Sequence, residues 1–225
     1  MSPLDTNEIA DKPWSEILEP DEPEPFYWMN RDVDSPVLLS CEHAGFRFPR
    51  KVGTLGLTED QQGKHYCGDI GAEGVTHHMS ERLKAPGLLS VYSRAVIDIN
   101  RPLGHPRLCT TEEDGDTIPD NLKLSAADRK MRIEGLYNPF HEDLSDYIQG
   151  KVRREERLLH IMIHSFTPVF QGEHRPWEIA FLWKDDKRLA QKLIDHFSEQ
   201  GFCVGDNEPY DAHVLLAAAH EHAHQ

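Results

Sequence analysis

The thirteen residues from Val37 to Pro49, VLLSCEHAGFRFP, constrain this chain more than any others. An apolar run stops abruptly at a Glu–His pair, followed by a small residue, a glycine and then a proline. It reads as a buried strand and the loop at its carboxyl end. In open α/β sheets, ligands bind beyond the carboxyl ends of the strands. Glu42 and His43 therefore stand where a carboxylate and an imidazole can bind a metal or move a proton. A second apolar run, LLHIMIHSFTP from Leu158 to Pro168, repeats the pattern and ends in His164. Two such strands in a parallel sheet present His43 and His164 at one edge. With Glu42 they form the two-imidazole, one-carboxylate set that zinc hydrolases use while leaving a fourth position open. His160, four residues earlier on a strand of mixed pattern, reads as structural.

Between these runs the chain alternates. Gly71 to about Lys84 suits a helix with Val75, Met79 and Leu83 facing inward at i, i+4, i+8. Asp69 lies just before it, where a side chain can cap the helix or reach into a site. His77 and His78 are neighbours on that helix, so their side chains diverge and they read as surface residues. Leu88 to Pro102 reads as strand-like material on which Val96, Asp98 and Asn100 share a face. Arg94, Asn100 and Arg101 are candidates for holding a substrate carboxylate, since a guanidinium fork matches its two oxygens. An Arg94–Asp98 or Arg101–Asp98 ion pair is the structural alternative. Residues 104–123 form a long acidic loop. Ser125 is an N-cap with Asp128 at N3, opening a helix that Pro139 breaks or kinks and that resumes to Gln149 with His141 on its polar face. Residues 186–200 form an amphipathic helix stopped by Gly201.

The formal charge is −15. Ten carboxylates and two basic residues fall in positions 1–36, so that segment carries −8 of it. Its Pro-, Asp- and Glu-rich composition reads as an extended arm, pinned to the domain surface by Phe26–Met29 and not itself a packed element. An acidic field repels phosphate backbones, so no nucleic-acid partner is expected. No stretch of eighteen apolar residues occurs and the N-terminus has no basic, then apolar, leader. Neither a membrane span nor a secretory signal is expected, and a cytoplasmic location is the default. The four scattered cysteines suggest neither a zinc ribbon nor a disulfide framework. Cys41, beside the Glu–His pair, reads as a small buried thiol sooner than a nucleophile.

Five segments in order resemble the N-formylglutamate amidohydrolase family: SCEHAG (40–45) with Pro49; DIGAEG (69–74); YSR (92–94) with Asp98 and NRP (100–102); IHSFTP (163–168); and GDNEPY (205–210). The resemblance implies an α/β fold with a mixed, mostly parallel sheet flanked by helices, related to zinc carboxypeptidases. It implies metal-dependent hydrolysis of an N-acyl bond, typically the formyl amide of N-formylglutamate, with Zn2+ or another divalent ion activating water. The partner is then a small N-acyl amino acid, and self-association is compatible with it. By this likeness His43 and His164 are metal ligands, Glu42 is the first choice for the third and Asp69 its rival. Asn100 and Arg101 match the pair that holds a substrate carboxylate. The domain implied spans residues 37–210, between the acidic arm and a His-rich tail, 211–225. That tail departs from the family's pattern, in which a further strand carries the catalytic glutamate. Glu42 and Glu208 are the catalytic candidates in its place, and a weakened activity or a binder without turnover is the alternative expectation.

Overall fold

The computed structural model describes residues 12–170 and 172–212. In chain order these form β1 (Phe26–Met29), β2 (Val37–Cys41), α1 (Glu59–Gln62), α2 (Ala72–Leu83), β3 (Gly87–Ser90), the short hairpin β4 (Glu112–Glu113) and β5 (Asp116–Thr117), and α3 (Ala126–Arg132). There follow α4 (Asn138–Arg153), β6 (Leu159–Met162), a second hairpin β7 (Val169–Phe170) and β8 (Glu173–His174), β9 (Ile179–Phe181), α5 (Arg188–Glu199) and β10 (Val204–Asp206). The main sheet has the order β1-β3-β2-β6. β2 pairs parallel with both β3 and β6, and β1 closes one edge antiparallel to β3. The fold is thus mixed α/β with a mostly parallel sheet. β9 and β10 pair parallel in a separate ribbon on which α5 packs.

The pleat sorts β2 and β3 between two cores. Leu38 and Leu88 join Phe140 and Leu144 of α4 on one face, while Cys41 and Leu89 join Ala44 and Ala72 beneath α2 on the other. α2 covers the sheet with a different stripe from the one its apolar spacing predicts. Ala72, Thr76 and Ser80 are buried, whereas Val75 and Leu83 are half exposed. Small residues let the helix approach the sheet closely. Their hydroxyls are satisfied locally, Thr76 donating to the Ala72 carbonyl and Ser80 to that of Ala85.

The acidic arm is a second correction, since part of it is packed. Ile17 and Leu18 are buried in the main core, Trp14 meets Phe26, Phe26 meets Phe140, and Phe26–Met29 is a sheet strand. Gly135 makes the docking possible, because a β-carbon there would overlap Ile17. The carboxylates set the composition of the segment, but the few apolar anchors between them decide its place.

The helix from Ser125 is neither broken nor stopped by Pro139. Ser125 caps it as expected, accepting from the Asp128 N–H at 3.0 Å. A single π turn, Ile133–Tyr137, then joins α3 to α4, with Pro139 in the first turn of α4, where a missing N–H is tolerated. His141 is buried rather than on a polar face. It stacks on Tyr137, and its Nε2–H donates to the Ile99 carbonyl at 2.8 Å. Arg132 donates to the Val96 carbonyl at 2.8 Å and to Asn121 Oδ1 at 2.7 Å. Together α3 and α4 hold the stretch 94–101, which is a run of turns and not the extended strand its composition suggests. The 104–123 loop is also anchored, with Leu108 and Ile118 fully buried. Among the described residues, no helix is long and apolar enough to cross a membrane. Of the tail, only Asp211 and Ala212 are described, and its histidines lie outside the described residues.

Candidate metal centre

Three loops meet at the carboxyl ends of β2 and β6. Glu42 and His43 follow β2, Asp69 precedes α2, and His164 follows β6. Because β2 and β6 are parallel neighbours, His43 and His164 come together with ring centroids 4.9 Å apart. The loop after β2 lies tight against the chain beyond β3. A β-carbon at Gly45 would overlap the Val91 carbonyl, and the Asp69 N–H donates to the His43 carbonyl at 2.9 Å.

His43, Asp69 and His164 each offer a donor atom within 4.8 Å of the other two. His43 Nε2 hydrogen-bonds Asp98 Oδ1 at 2.7 Å. A carboxylate only accepts, so Nε2 carries a proton, and Nδ1 is the ring atom that can offer a lone pair to a cation. That Nδ1 is buried, has no hydrogen-bond partner, and lies 3.4 Å from Asp69 Oδ1. His164 stands between two carboxylates, its Nδ1 2.9 Å from Asp69 Oδ2 and its Nε2 3.2 Å from Glu42 Oε2. The Ser165 N–H also donates to Asp69 Oδ2, at 3.1 Å. Each imidazole thus has a buried carboxylate at Nε2 and turns Nδ1 toward Asp69. A carboxylate behind a histidine fixes its tautomer and ring orientation in metal sites.

The charge balance follows from burial and pairing. Burial disfavours ionised Glu42, but the His164 imidazole and the Ser40 hydroxyl outweigh it and hold the carboxyl down at about 2. Asp69 is likewise held well below the carboxylate range, burial being outweighed by His43 and His164. Asp98 is held low by Arg94, His43 and Arg101 against its burial. His164 runs the other way, because Asp69 and Glu42 overcome its desolvation and raise it to about 10. Its side chain is 26% exposed, whereas those of His43 and Glu42 are 3% and 0%, so the centre opens at His164.

The structure changes the weighting of the sequence candidates. Asp69, not Glu42, joins the two histidines as the third donor, because Glu42 turns back along β2 to accept from Ser40 Oγ at 2.6 Å. Arg94 is engaged by Asp98 at 2.6 Å and lies 3.4 Å from Asp69, the ion-pair alternative. Arg101 Nε is 3.6 Å from Asp98, and its terminal nitrogens make no hydrogen bond among the described residues. Asn100 Nδ2 is 3.4 Å from His164 Nε2, while its buried Oδ1 has no hydrogen-bond partner. Glu208 does not reach the cluster. It is exposed after β10 and makes no hydrogen bond or ion pair with these groups among the described residues. Cys41 is fully buried against Ala72 and Leu89, and burial with the Glu42 charge pushes its thiol far above its ordinary range, which suits a packed thiol and not a nucleophile. Asp98 was not singled out as a site residue, although it lies in the same short segment as Asn100 and Arg101. It gathers His43, Arg94, Arg101 and the Asn100 N–H.

Solved structures resemble this one. The gene product Atu2144 from Agrobacterium tumefaciens is 33% identical, with a TM-score of 0.88 over 92% of this chain and 82% of its own. The N-formylglutamate amidohydrolase from Ralstonia eutropha JMP134 is 17% identical, with a TM-score of 0.65 over 89% of this chain and 83% of its own, a likeness of fold. No curated protein matches the chain. The family model described as N-formylglutamate amidohydrolase matches residues 35–225, a span that runs through the His-rich tail. On that match and the ordered segments that carry it, the chain belongs to the N-formylglutamate amidohydrolase family.

Proposed function

We propose that this chain is a metal-dependent amidohydrolase that cleaves the N-acyl bond of a small amino acid, N-formylglutamate being the first substrate to test. The observation that carries the reading is the pair of histidines that turn Nδ1 toward one aspartate, each backed at Nε2 by a buried carboxylate. The buried Nδ1 of His43, without a hydrogen bond and turned toward Asp69, suits a cation held between them. Two imidazoles and a carboxylate suit Zn2+ or another divalent ion with a coordination position to spare. When bound, such an ion would polarise the acyl oxygen and acidify a water. With this reading goes the finer fold likeness to zinc carboxypeptidases.

In this assignment His43, Asp69 and His164 are the ligands. Asp98 fixes the His43 tautomer and Glu42 orients His164. Asn100 and Arg101 hold the substrate carboxylate at the open side of the centre. Arg94, held by Asp98 and facing Asp69, balances their charge. Zinc content and formate release from N-formylglutamate, measured before and after chelation, test the whole. About one ion per chain with chelator-sensitive release supports it. Release that is indifferent to chelators overturns the metal, and absence of both zinc and release overturns the function. Bound zinc without release would mark a binder that has lost turnover.

Arg101→Met is expected to raise KM for N-formylglutamate about 10–100-fold with kcat changed far less, since a charge-assisted contact contributes about 1.5–3 kcal/mol. An unchanged KM would remove Arg101 from the substrate site. The pH dependence of metal uptake follows from His164. A group raised from 6.5 to about 10 keeps its proton at neutral pH, so an incoming cation must displace it. Below 10, the apparent zinc affinity is therefore expected to rise about tenfold per pH unit, with about one proton released by His164 per ion. Titration in weak buffer reads this directly, and uptake without proton release would exclude His164 as a ligand.

A further inference from the structure

We infer that Ser40 and His160 form a line of hydrogen bonds behind Glu42 that sets the orientation of His164, making both of them positioning residues for the centre. His160 and His164 lie on and just beyond the same strand, β6, while Ser40 and Glu42 lie on and just beyond β2. The parallel register sets His160 opposite Leu38, so His160 and Ser40 project from one face of the sheet.

The directions of the bonds follow from counting protons. Glu42 is ionised and only accepts, so Ser40 gives its single hydroxyl proton to Glu42 Oε1, at 2.6 Å. Ser40 Oγ can then only accept from His160 Nε2, 2.8 Å away, so His160 is the donor. With Oε1 occupied, Oε2 is the oxygen that faces His164 Nε2, as an ion pair at 3.2 Å and not as a hydrogen bond. Ser40 is fully buried and Glu42 is 1% exposed, so solvent is kept from the bond between them, while the His160 end is partly buried. The line leaves β6 at His160, crosses β2, and returns at His164, just beyond the end of β6. It pins both the carboxylate plane and the rotor that feeds it. Carboxylates behind metal-ligating histidines are worth about 10–100-fold in metal affinity, and the line extends that effect two residues further back.

The inference rests on the metal reading above, so its test needs one measurement that does not. In the zinc-free chain, nitrogen-detected NMR of the His164 ring reports the surroundings of each ring nitrogen. Ser40→Ala and His160→Leu are expected to shift the Nε2 signal, whereas His160→Gln, which keeps an N–H donor, is expected to leave it close to wild type. Zinc competition against a chromophoric chelator, with the Co2+ absorption spectrum, gives the second reading. Ser40→Ala is expected to weaken zinc by about tenfold, toward the lower end of that range, with His160→Leu smaller and in the same direction. Neither should weaken it further in a Glu42→Gln background. Unchanged His164 signals in folded Ser40→Ala, or losses that add to that of Glu42→Gln, would overturn the line. A wild-type chain that binds no zinc would overturn the metal reading alone, with the ring signals still deciding the line.

Discussion

Asp69→Ala is expected to strip the metal and to lower formate release by more than about 100-fold, whereas Glu42→Gln is expected to keep the metal with an affinity about 10–100-fold weaker. The contrast separates the two carboxylates that compete for third place in the centre. Asp69 faces the Nδ1 atoms of both His43 and His164, and its loss leaves two imidazoles without a charge between them. Glu42 is turned elsewhere, hydrogen-bonded by Ser40 at one oxygen and facing the far nitrogen of His164 as an ion pair at the other. Zinc content after dialysis, measured alongside formate release, reads both variants. A Glu42→Gln protein that purifies metal-free, beside an Asp69→Ala protein that keeps its zinc, would reverse the assignment.

Ile17→Ala is expected to cost about 2–5 kcal/mol in urea unfolding, as for other fully buried aliphatic side chains. Ile17 is 0% exposed and packs where Gly135 leaves room for it. Substituting an exposed carboxylate of the same segment, such as Glu24→Gln, is expected to stay within about 0.5 kcal/mol. Equal small effects at the two positions would mean that the segment is the loosely attached arm its composition suggests.

The sheet and the meeting of its two histidines were legible because they depend on local pattern. Each apolar run ends in a polar loop, and a parallel sheet aligns such ends without further instruction. The Ser125 cap was legible for the same reason, since its partner lies three residues away. The choice between Glu42 and Asp69 was not. Adjacency to His43 favours Glu42 in sequence, but neighbouring residues at a strand end point in different directions, and Ser40 draws Glu42 back along β2. The inward face of α2 was misread because Ala72, Thr76 and Ser80 bury well while scoring poorly for hydrophobicity. His141 was misread because a helix's polar face and a buried imidazole that donates to a distant carbonyl look alike until Ile99 is in place.

The segment from Arg94 to Arg101 is held from behind largely by its main chain. Asn121 donates to the carbonyl of Ala95, Arg132 to that of Val96 and His141 to that of Ile99. A loop gripped by its carbonyls keeps its path whatever side chains it displays. Asn100 and Arg101 are therefore open to exchange during divergence, while Arg132 and His141, which never touch a ligand, are not. A relative that has taken up a different acid is expected to differ first at residues 100 and 101 and to retain the two helical donors that hold them out.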